Sequence, residues 1–262
     1  MPEGKQEIIF VLGCQRSGTT LLTRIFERDW FARVFGEYSE LSSDDSEYGI
    51  RLNSLDRVAT ELREQRFPTI VSKPLVESHR GPELLDYFDN GHIVWVYRSF
   101  YDVAASDLRK FGEGNGIDNI RPMLERKSGN WRSEFVTSQT HALIEQFFSE
   151  DMNPFDAAGL FWYARNSLFF DTELSNGTSS KRVLILPYER LTAEPDRTMQ
   201  SIYNLIGRKY PGRRLVAEVD PASVDKGKDR LTEISDEVRR HCEGMLQRLD
   251  EAAGYARPNQ ST

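Results

Sequence analysis

The feature that most constrains this chain is a glycine-rich turn that directly follows an apolar run near the amino terminus. Residues 7–13, EIIFVLG, are almost continuously apolar, which is typical of a strand buried in a parallel sheet. The turn GCQRSGTT (13–20) comes next, and apolar residues such as Leu22 and Ile25 then recur with helical spacing. A strand, a glycine turn and a helix in this order direct backbone N–H groups and a positive helix end at one point. The sequence therefore predicts an anion site here.

The turn has the glycine spacing of a P-loop but lacks the P-loop lysine. Gly13 and Gly18 stand as in G-x-x-x-x-G-K-[ST], with Thr19 in the lysine position. In nucleotide-hydrolysing proteins that lysine reaches the β- and γ-phosphates. The turn instead offers one arginine and three hydroxyl groups: Arg16, Ser17, Thr19 and Thr20. An arginine fork with several hydroxyls favours a phosphate or sulfate ligand over a strand–helix connection that merely needs glycine.

Strand-like and helix-like segments alternate along the rest of the chain. Strands are predicted at 69–73, 92–98 and 182–189, and helices are predicted after the last two. A final helix begins after Ser235. This alternation predicts an α/β fold over residues 1–262, a single P-loop-like three-layer domain with a central, mostly parallel sheet covered by helices on both faces.

A second anion site is predicted where the strand at 92–98 ends. A P-loop enzyme that handles a nucleoside triphosphate needs an acidic residue at a strand end to hold magnesium. Here the strand ends in Arg98, and Ser106 follows eight positions later across the mouth of the next helix. Two anion sites without a metal-binding acid describe a nucleotide with phosphates at both ends of its ribose.

Composition argues against several other classes of protein. The formal net charge of −7 argues against a general nucleic-acid binder, and no apolar run approaches the roughly 18 residues of a membrane span. The amino terminus lacks the basic region of a signal peptide. Cys14 and Cys242 form no zinc-binding pattern, so we expect no metal site. A cytoplasmic location is expected.

In three places the chain resembles the sulfotransferases that use 3′-phosphoadenosine 5′-phosphosulfate (PAPS). GCQRSGTTLL is similar to their 5′-phosphosulfate loop, VWVYRSFYDVAASDLRK to their 3′-phosphate motif, and VLILPYERLTAEP to their Y-E-x-L strand and loop. Phe100 stands where many relatives have proline. The resemblance implies that PAPS and its product PAP are bound by Arg16, Ser17, Gly18, Thr19, Thr20, Arg98, Ser106, Tyr188, Lys226 and Lys228.

The resemblance also indicates a branch of the family and a catalytic base. Relatives that act on phenols and steroids carry a lysine where this chain has Arg16, and a histidine near the position of Leu75. The chain is closer to the tyrosylprotein-type and bacterial branch. Its pattern implies that Glu37 is the base and that Lys73 and Arg16 assist. Glu40, in the same acidic loop, is the alternative base, and His79 is a further candidate.

The resulting hypothesis is in-line transfer of a sulfuryl group from PAPS to a hydroxyl acceptor, with PAP as product. A P-loop kinase acting on a nucleotide or small molecule is disfavoured by Thr19 and Arg98. A nucleotide-binding module without turnover is disfavoured because Glu37 and Lys73 are present. The acceptor is left open between peptide, sugar, lipid and small metabolite, because residues 111–180, expected to be an insertion on the acceptor side, match nothing. The oligomeric state is also left open.

Overall fold

Five parallel strands form the centre of the computed structural model, which describes residues 5–45, 49–176, 181–220 and 224–257. The strands are β1 (Glu7–Gly13), β2 (Ala32–Phe35), β3 (Ser42–Asp45), β4 (Gly49–Leu52), β5 (Thr69–Ser72), β6 (Gly91–Tyr97) and β7 (Val183–Pro187). The central sheet has the order β2-β5-β1-β6-β7, and every neighbouring pair in it is parallel. Strands β3 and β4 pair with each other in an antiparallel sheet of two strands.

Ten α-helices lie between and after these strands in the described part of the chain. They are α1 (Thr19–Phe26), α2 (Leu55–Arg63), α3 (Gly81–Tyr87), α4 (Phe100–Phe111), α5 (Asn115–Leu124), α6 (Ser138–Phe147), α7 (Pro154–Asp171), α8 (Tyr188–Ala193), α9 (Pro195–Leu205) and α10 (Asp236–Ala252). Short 3-10 helices lie at Leu75–Arg80, Arg213–Val216 and Lys228–Glu233. No helix in the described part of the chain is long and apolar enough to cross a membrane.

Alternate residues of β1 face opposite sides of the sheet, and helices cover both sides. Ile8, Phe10 and Leu12 face a core completed by α2, α3, α4, α7 and α10. Ile9 and Val11 face the opposite core, to which α1, α8 and α9 contribute. Because both faces of β1 are covered, the strand is apolar at almost every position. The predicted α/β fold, a mostly parallel sheet with a helical layer on each face, is confirmed.

Three parts of the fold differ from the sequence prediction or go beyond it. Strand β7 ends at Pro187 and Tyr188 begins α8, so the strand predicted at 182–189 is shorter. Strands β3 and β4 lie after Glu37, in a region that the sequence analysis treated as an acidic loop. Helices α5 and α6 pack on one side of α7 around Trp131, as a third apolar cluster.

Candidate active site

The glycine-rich turn has the left-handed backbone that its two glycines allow. Gly13 has φ +132°, and a Cβ there would lie 2.1 Å from the carbonyl oxygen of Val96 on the neighbouring strand. Gly18 has φ +94°, and a Cβ there would lie 2.1 Å from the ring of Tyr188. Both positions require glycine, because a side chain would be strained and would also collide. The turn is therefore held between β6 and the start of α8.

The strand order places the turn in a crevice at the carboxyl edge of the sheet. The chain runs from β1 towards β5 and β2 on one side and towards β6 and β7 on the other. In open α/β sheets, ligands bind where the strand order reverses in this way. The first N–H groups of α1 have no acceptor within the helix, so the start of α1 can bind an anion at this edge.

Glu37 and Lys73 come together because their strands are neighbours. Phe35 of β2 lies opposite Ser72 of β5, and the Lys73 N–H donates to the Phe35 carbonyl oxygen at 3.0 Å. Just past these strand ends, Lys73 Nζ lies 3.0 Å from Glu37 Oε1. The two side chains are 12% and 23% exposed, so the pair is largely sheltered from solvent.

Lys73 also connects the carboxylate to the glycine-rich turn. Its Nζ donates to Thr20 Oγ1 at 3.3 Å, which joins the ends of β2 and β5 to the first turn of α1. Glu40 lies elsewhere: its carboxylate pairs with Arg33 at 3.4 Å, and both side chains are about half exposed. Of the two carboxylates considered as a base, only Glu37 contacts Lys73 in the described structure.

The residues of the predicted second anion site lie on the other side of the turn. Arg98 follows β6 and is 8% exposed, and its guanidinium stacks 4.5 Å from the centre of the Tyr188 ring. The same guanidinium pairs with Asp102 at 3.0 Å. The stacking thus brings together Arg98 and Tyr188, which two separate sequence motifs suggested, and Tyr188 packs on Gly18 of the turn.

Arg16 lies on the side of the second anion site. Its Nε and Nη2 donate to Ser106 Oγ at 3.1 and 2.9 Å. Burial lowers the pKa of Arg16, Asp107 opposes this, and the nearby Arg98 and Arg109 lower it further. The described hydrogen bonds and ion pairs do not join Arg16 to Glu37. Three arginines, Arg16, Arg98 and Arg109, therefore lie close together on this side of the turn, although the whole chain is acidic.

Two further findings bear on whether these residues fit an anionic nucleotide. Ser17 Oγ is fully buried in the turn and has no partner among the described residues, so a donor is left for a ligand. Lys226 and Lys228 are exposed on a segment whose residue Gly227 donates from its N–H to Asp102 Oδ1 at 2.7 Å. That contact puts the segment beside Arg98. The donor set fits a nucleotide with two anionic ends.

The sequence analysis missed the role of Glu189 in the segment YERL. Glu189 Oε1 accepts a hydrogen bond of 2.9 Å from the N–H of Ser99, the residue after Arg98. Arg257, near the carboxyl terminus, pairs with Glu189 at 3.2 Å and with Asp250 at 2.7 Å. Glu189 therefore holds the start of α4 in place. Its only sequence signal was its position next to Tyr188.

His79 belongs to a separate ion-pair network. Its Nε2 lies 2.7 Å from Glu134, and Arg51 pairs with Glu134 at 2.9 Å and with the fully buried Glu77 at 2.7 Å. Donor atoms of Glu77, His79 and Glu134 lie within 4.8 Å of one another, a spacing suited to a cation. Arg51 already supplies that positive charge. The network ties residues 129–134 to β4 and to the 3-10 helix 75–80.

Comparison with known proteins identifies the family of this chain. The family described as the sulfotransferase domain matches residues 6–244. A sulfotransferase domain of an olefin synthase from Synechococcus PCC 7002 has 19% identity and a TM-score of 0.50, with 98% of each chain covered. A sulfotransferase from Alicyclobacillus acidocaldarius has 13% identity and a TM-score of 0.54, with 97% of this chain and 98% of that chain covered.

A mouse sulfotransferase solved in complex with PAP has 13% identity and a TM-score of 0.50, with 97% of this chain and 90% of that chain covered. No curated protein sequence matches the chain. The three structures show a shared fold, and the family match extends over nearly the whole chain. The fold is of the P-loop-like α/β class that these sulfotransferase structures share. The chain belongs to the sulfotransferase domain family, whose general reaction is sulfuryl transfer.

Proposed function

We propose that this protein transfers a sulfuryl group from PAPS to a hydroxyl acceptor, with Glu37 as the general base. The observation that carries the proposal is the contact of Lys73 with both Glu37 and Thr20, at 3.0 and 3.3 Å. It places a carboxylate, a cation and the first turn of α1 together at the edge of the sheet. A base must lie within hydrogen-bond reach of the reacting group, and this arrangement supports such reach.

The donor is PAPS, which supplies the sulfuryl group and leaves as PAP. The 5′ end is assigned to the N–H groups and hydroxyls of the turn, Ser17 to Thr20. The 3′-phosphate is assigned to Arg98 and Ser106, with Arg16 between the two ends through its contact with Ser106. Tyr188 supports Arg98 by stacking, and Lys226 and Lys228 close over the nucleotide. These assignments need no metal ion.

The residues of the chain divide the chemistry between them. Glu37 takes the proton of the acceptor hydroxyl as its oxygen attacks in line. Lys73 holds Glu37 before the reaction and is then placed to stabilise negative charge on the group in transfer. Arg16 and the helix N–H groups do the same at the leaving side. Fixed positive charge and positioning supply most of the acceleration, as in phosphoryl transfer.

The acceptor binds on the open side of Glu37. The cavity that Glu37 lines together with Ile50 and Leu52 is only about 10 Å³, the space of one water molecule. It is too small for an acceptor. The hydroxyl group must therefore approach from solvent, to which the Glu37 side chain is 23% exposed.

Turnover with PAPS labelled at sulfur tests this proposal. The protein should be incubated with a panel of acceptors, comprising a tyrosine peptide, an oligosaccharide, a hydroxylated lipid and small alcohols. We expect transfer of label to at least one class, and no transfer of phosphate from labelled ATP to any. Phosphate transfer without sulfuryl transfer would favour the kinase alternative and contradict the proposal.

A further inference from the structure

A buried carboxylate lies inside the proposed 3′-phosphate site. The Asp102 side chain has no exposed surface, and its Oδ2 lies 3.0 Å from Arg98 Nη2. A phosphate bound by Arg98 would be repelled by a carboxylate on the same guanidinium. Asp102 therefore opposes nucleotide binding through its charge. A carboxylate at this position is explained only if it also favours binding in another way.

Within the part of the chain that the structure describes, the other hydrogen bonds of Asp102 are made to one distant segment. Oδ1 accepts from the N–H of Gly227 at 2.7 Å, and Oδ2 accepts from the N–H of Asp225 at 2.9 Å. The hydroxyl of Tyr101 adds a bond of 2.9 Å to Asp225 Oδ1. Two consecutive residues in the first turn of α4 thus hold both sides of residue 226.

Close packing fixes this segment as well as hydrogen bonding does. A Cβ at Gly227 would lie 2.3 Å from the carbonyl oxygen of Tyr101, so only glycine allows the approach. Asp225 has a left-handed backbone, with φ +58°. Gly227 is buried, whereas Lys226 and Lys228 on either side of it are exposed. The backbone is held against α4 while the two ammonium groups are left free to reach a ligand.

We propose that Asp102 is a positioning residue that holds residues 225–227 on α4, so that Lys226 is presented to the 3′ end of the nucleotide. The proposal rests on the proposed function for the identity of that nucleotide. It explains the carboxylate beside Arg98, because the affinity lost to its charge is regained through a correctly placed lysine. Asp102 itself does not contact the nucleotide.

The affinity for PAP of Asp102→Ala alone is not decisive, because removal of the charge and release of the segment have opposite effects. A double-mutant cycle with Lys226→Ala separates them. In the wild-type background we expect Lys226→Ala to raise the Kd for PAP about 10-fold or more, as loss of a charge-assisted hydrogen bond does. In the Asp102→Ala background the same change should raise Kd by less than about 2-fold.

Thr19→Ala supplies the matched control cycle, because it acts on the 5′ end. Its effect on Kd should be equal in the two backgrounds, which excludes a general collapse of the site. Gly227→Ala is a second way to release residues 225–227 from α4, and it leaves Asp102 and Arg98 unaltered. In this background too, Lys226→Ala should have no effect on Kd. Equal effects of Lys226→Ala in all three backgrounds would overturn the proposal.

Trypsin gives a readout that does not depend on nucleotide binding. Lys226 and Lys228 are cleavage sites, and the docked segment should resist cleavage until it leaves α4. We expect Asp102→Ala to be cut there several-fold faster than wild type, with cleavage elsewhere unchanged. Equal rates would overturn the proposal. If the wild-type protein fails to bind PAP, the proposed function is wrong, and the tryptic comparison decides whether Asp102 holds the segment.

Discussion

Glu37 is distinguished as the proposed base by its surroundings rather than by its residue type. The chain has several carboxylates in the segment after β2, but Glu37 contacts Lys73 and is 23% exposed, whereas Glu40 is 48% exposed and pairs with Arg33. A cation held against one carboxylate both orients it and remains available to stabilise transferred charge. The difference between two glutamates three positions apart is therefore one of tertiary contact.

Glu37→Gln should abolish proton acceptance while it keeps the size of the side chain. We expect the turnover number to fall about 10²–10⁴-fold, the usual contribution of a general base, with the Kd for PAP nearly unchanged. Steady-state kinetics together with calorimetric titration of PAP would measure both quantities. Glu40→Gln is the matched control and should retain activity. The reverse result would make Glu40 the base.

Arg98→Ala should weaken the binding of PAP by roughly 1.5–3 kcal/mol, because it removes a charge-assisted contact to a phosphate. The effect should appear in Kd and not in the chemical step. Titration calorimetry at fixed salt is the measurement. Arg213→Ala is the control, since Arg213 is an exposed residue that pairs with Asp196. Unchanged affinity in a folded Arg98→Ala protein would contradict the assignment of the 3′ site.

At the scale of elements, the site is made by strand order. Strands β2 and β5 are neighbours, so their ends bring together Glu37 and Lys73. Strand β1 lies next to β5, which adds Thr20. Strand β6 lies on the other side of β1 and contributes Arg98. Each of these residues lies just after a strand or at the start of the next helix. The position of the strand in the sheet therefore determines which other side chains the residue can contact.

The segment around Glu134 is attached to this framework by the ion-pair network. The hydrogen bond from His79 lowers the pKa of Glu134 to about 2, against the effect of burial, and Arg51 lowers it further. The ordinary pKa of 4.5 applies to the unfolded chain. Glu134 therefore stabilises the folded state above about pH 4.5, and this contribution is lost as the pH falls towards 2.

Glu134→Gln should consequently lower the melting temperature at pH 5.5, and the difference from wild type should shrink as the pH is lowered to 3.5. Differential scanning calorimetry at several pH values would show the trend. Glu125→Gln provides the comparison, since Glu125 is an exposed carboxylate of the same region. A difference between wild type and Glu134→Gln that stays constant with pH would show that the network is not held by the charge of Glu134.

At the scale of the molecule, the chain is acidic, whereas the donor proposed for it is an anion. The net charge of −7 disfavours such a ligand at long range, while Arg16, Arg98 and Arg109 act within a few ångströms. The buried carboxylates near these arginines are themselves paired or hydrogen-bonded, as Asp102 and Glu189 show. At short range, contacts with these arginines therefore affect an anion more than the net charge of the chain does.

PAP should raise the melting temperature of the whole protein in the absence of magnesium. A ligand at 100 times its Kd stabilises the folded state by about 2.7 kcal/mol, which corresponds to roughly 5–10 °C for a chain of this size. Thermal unfolding with EDTA present is the measurement, and adenosine, which lacks both phosphates, is the control. Equal stabilisation by ATP with magnesium would support the kinase alternative.

Local patterns in the sequence predicted most of the elements around the site. The apolar run before Gly13, the strand that leads to Arg98 and the helix after that strand were all expected, and they appear as β1, β6 and α4. Such patterns can be recognised in the sequence because a strand buried on both faces is a continuous apolar run and a helix often ends at glycine. Strand β2 has only four residues. The short apolar run before Glu37 indicated a strand end there but was too short to predict the whole strand.

The sequence by itself therefore determined the fold class, the glycine-rich turn and the types of residue available for an anion site. Only the tertiary structure decided which of them meet. Arg16 bonds to Ser106 across 90 residues, and Asp102 holds Gly227 across 125 residues. Glu37, rather than Glu40, pairs with Lys73. The physical reason is that periodicity reports how a segment is buried, whereas side-chain partners depend on strand order and long-range packing, which no local pattern encodes.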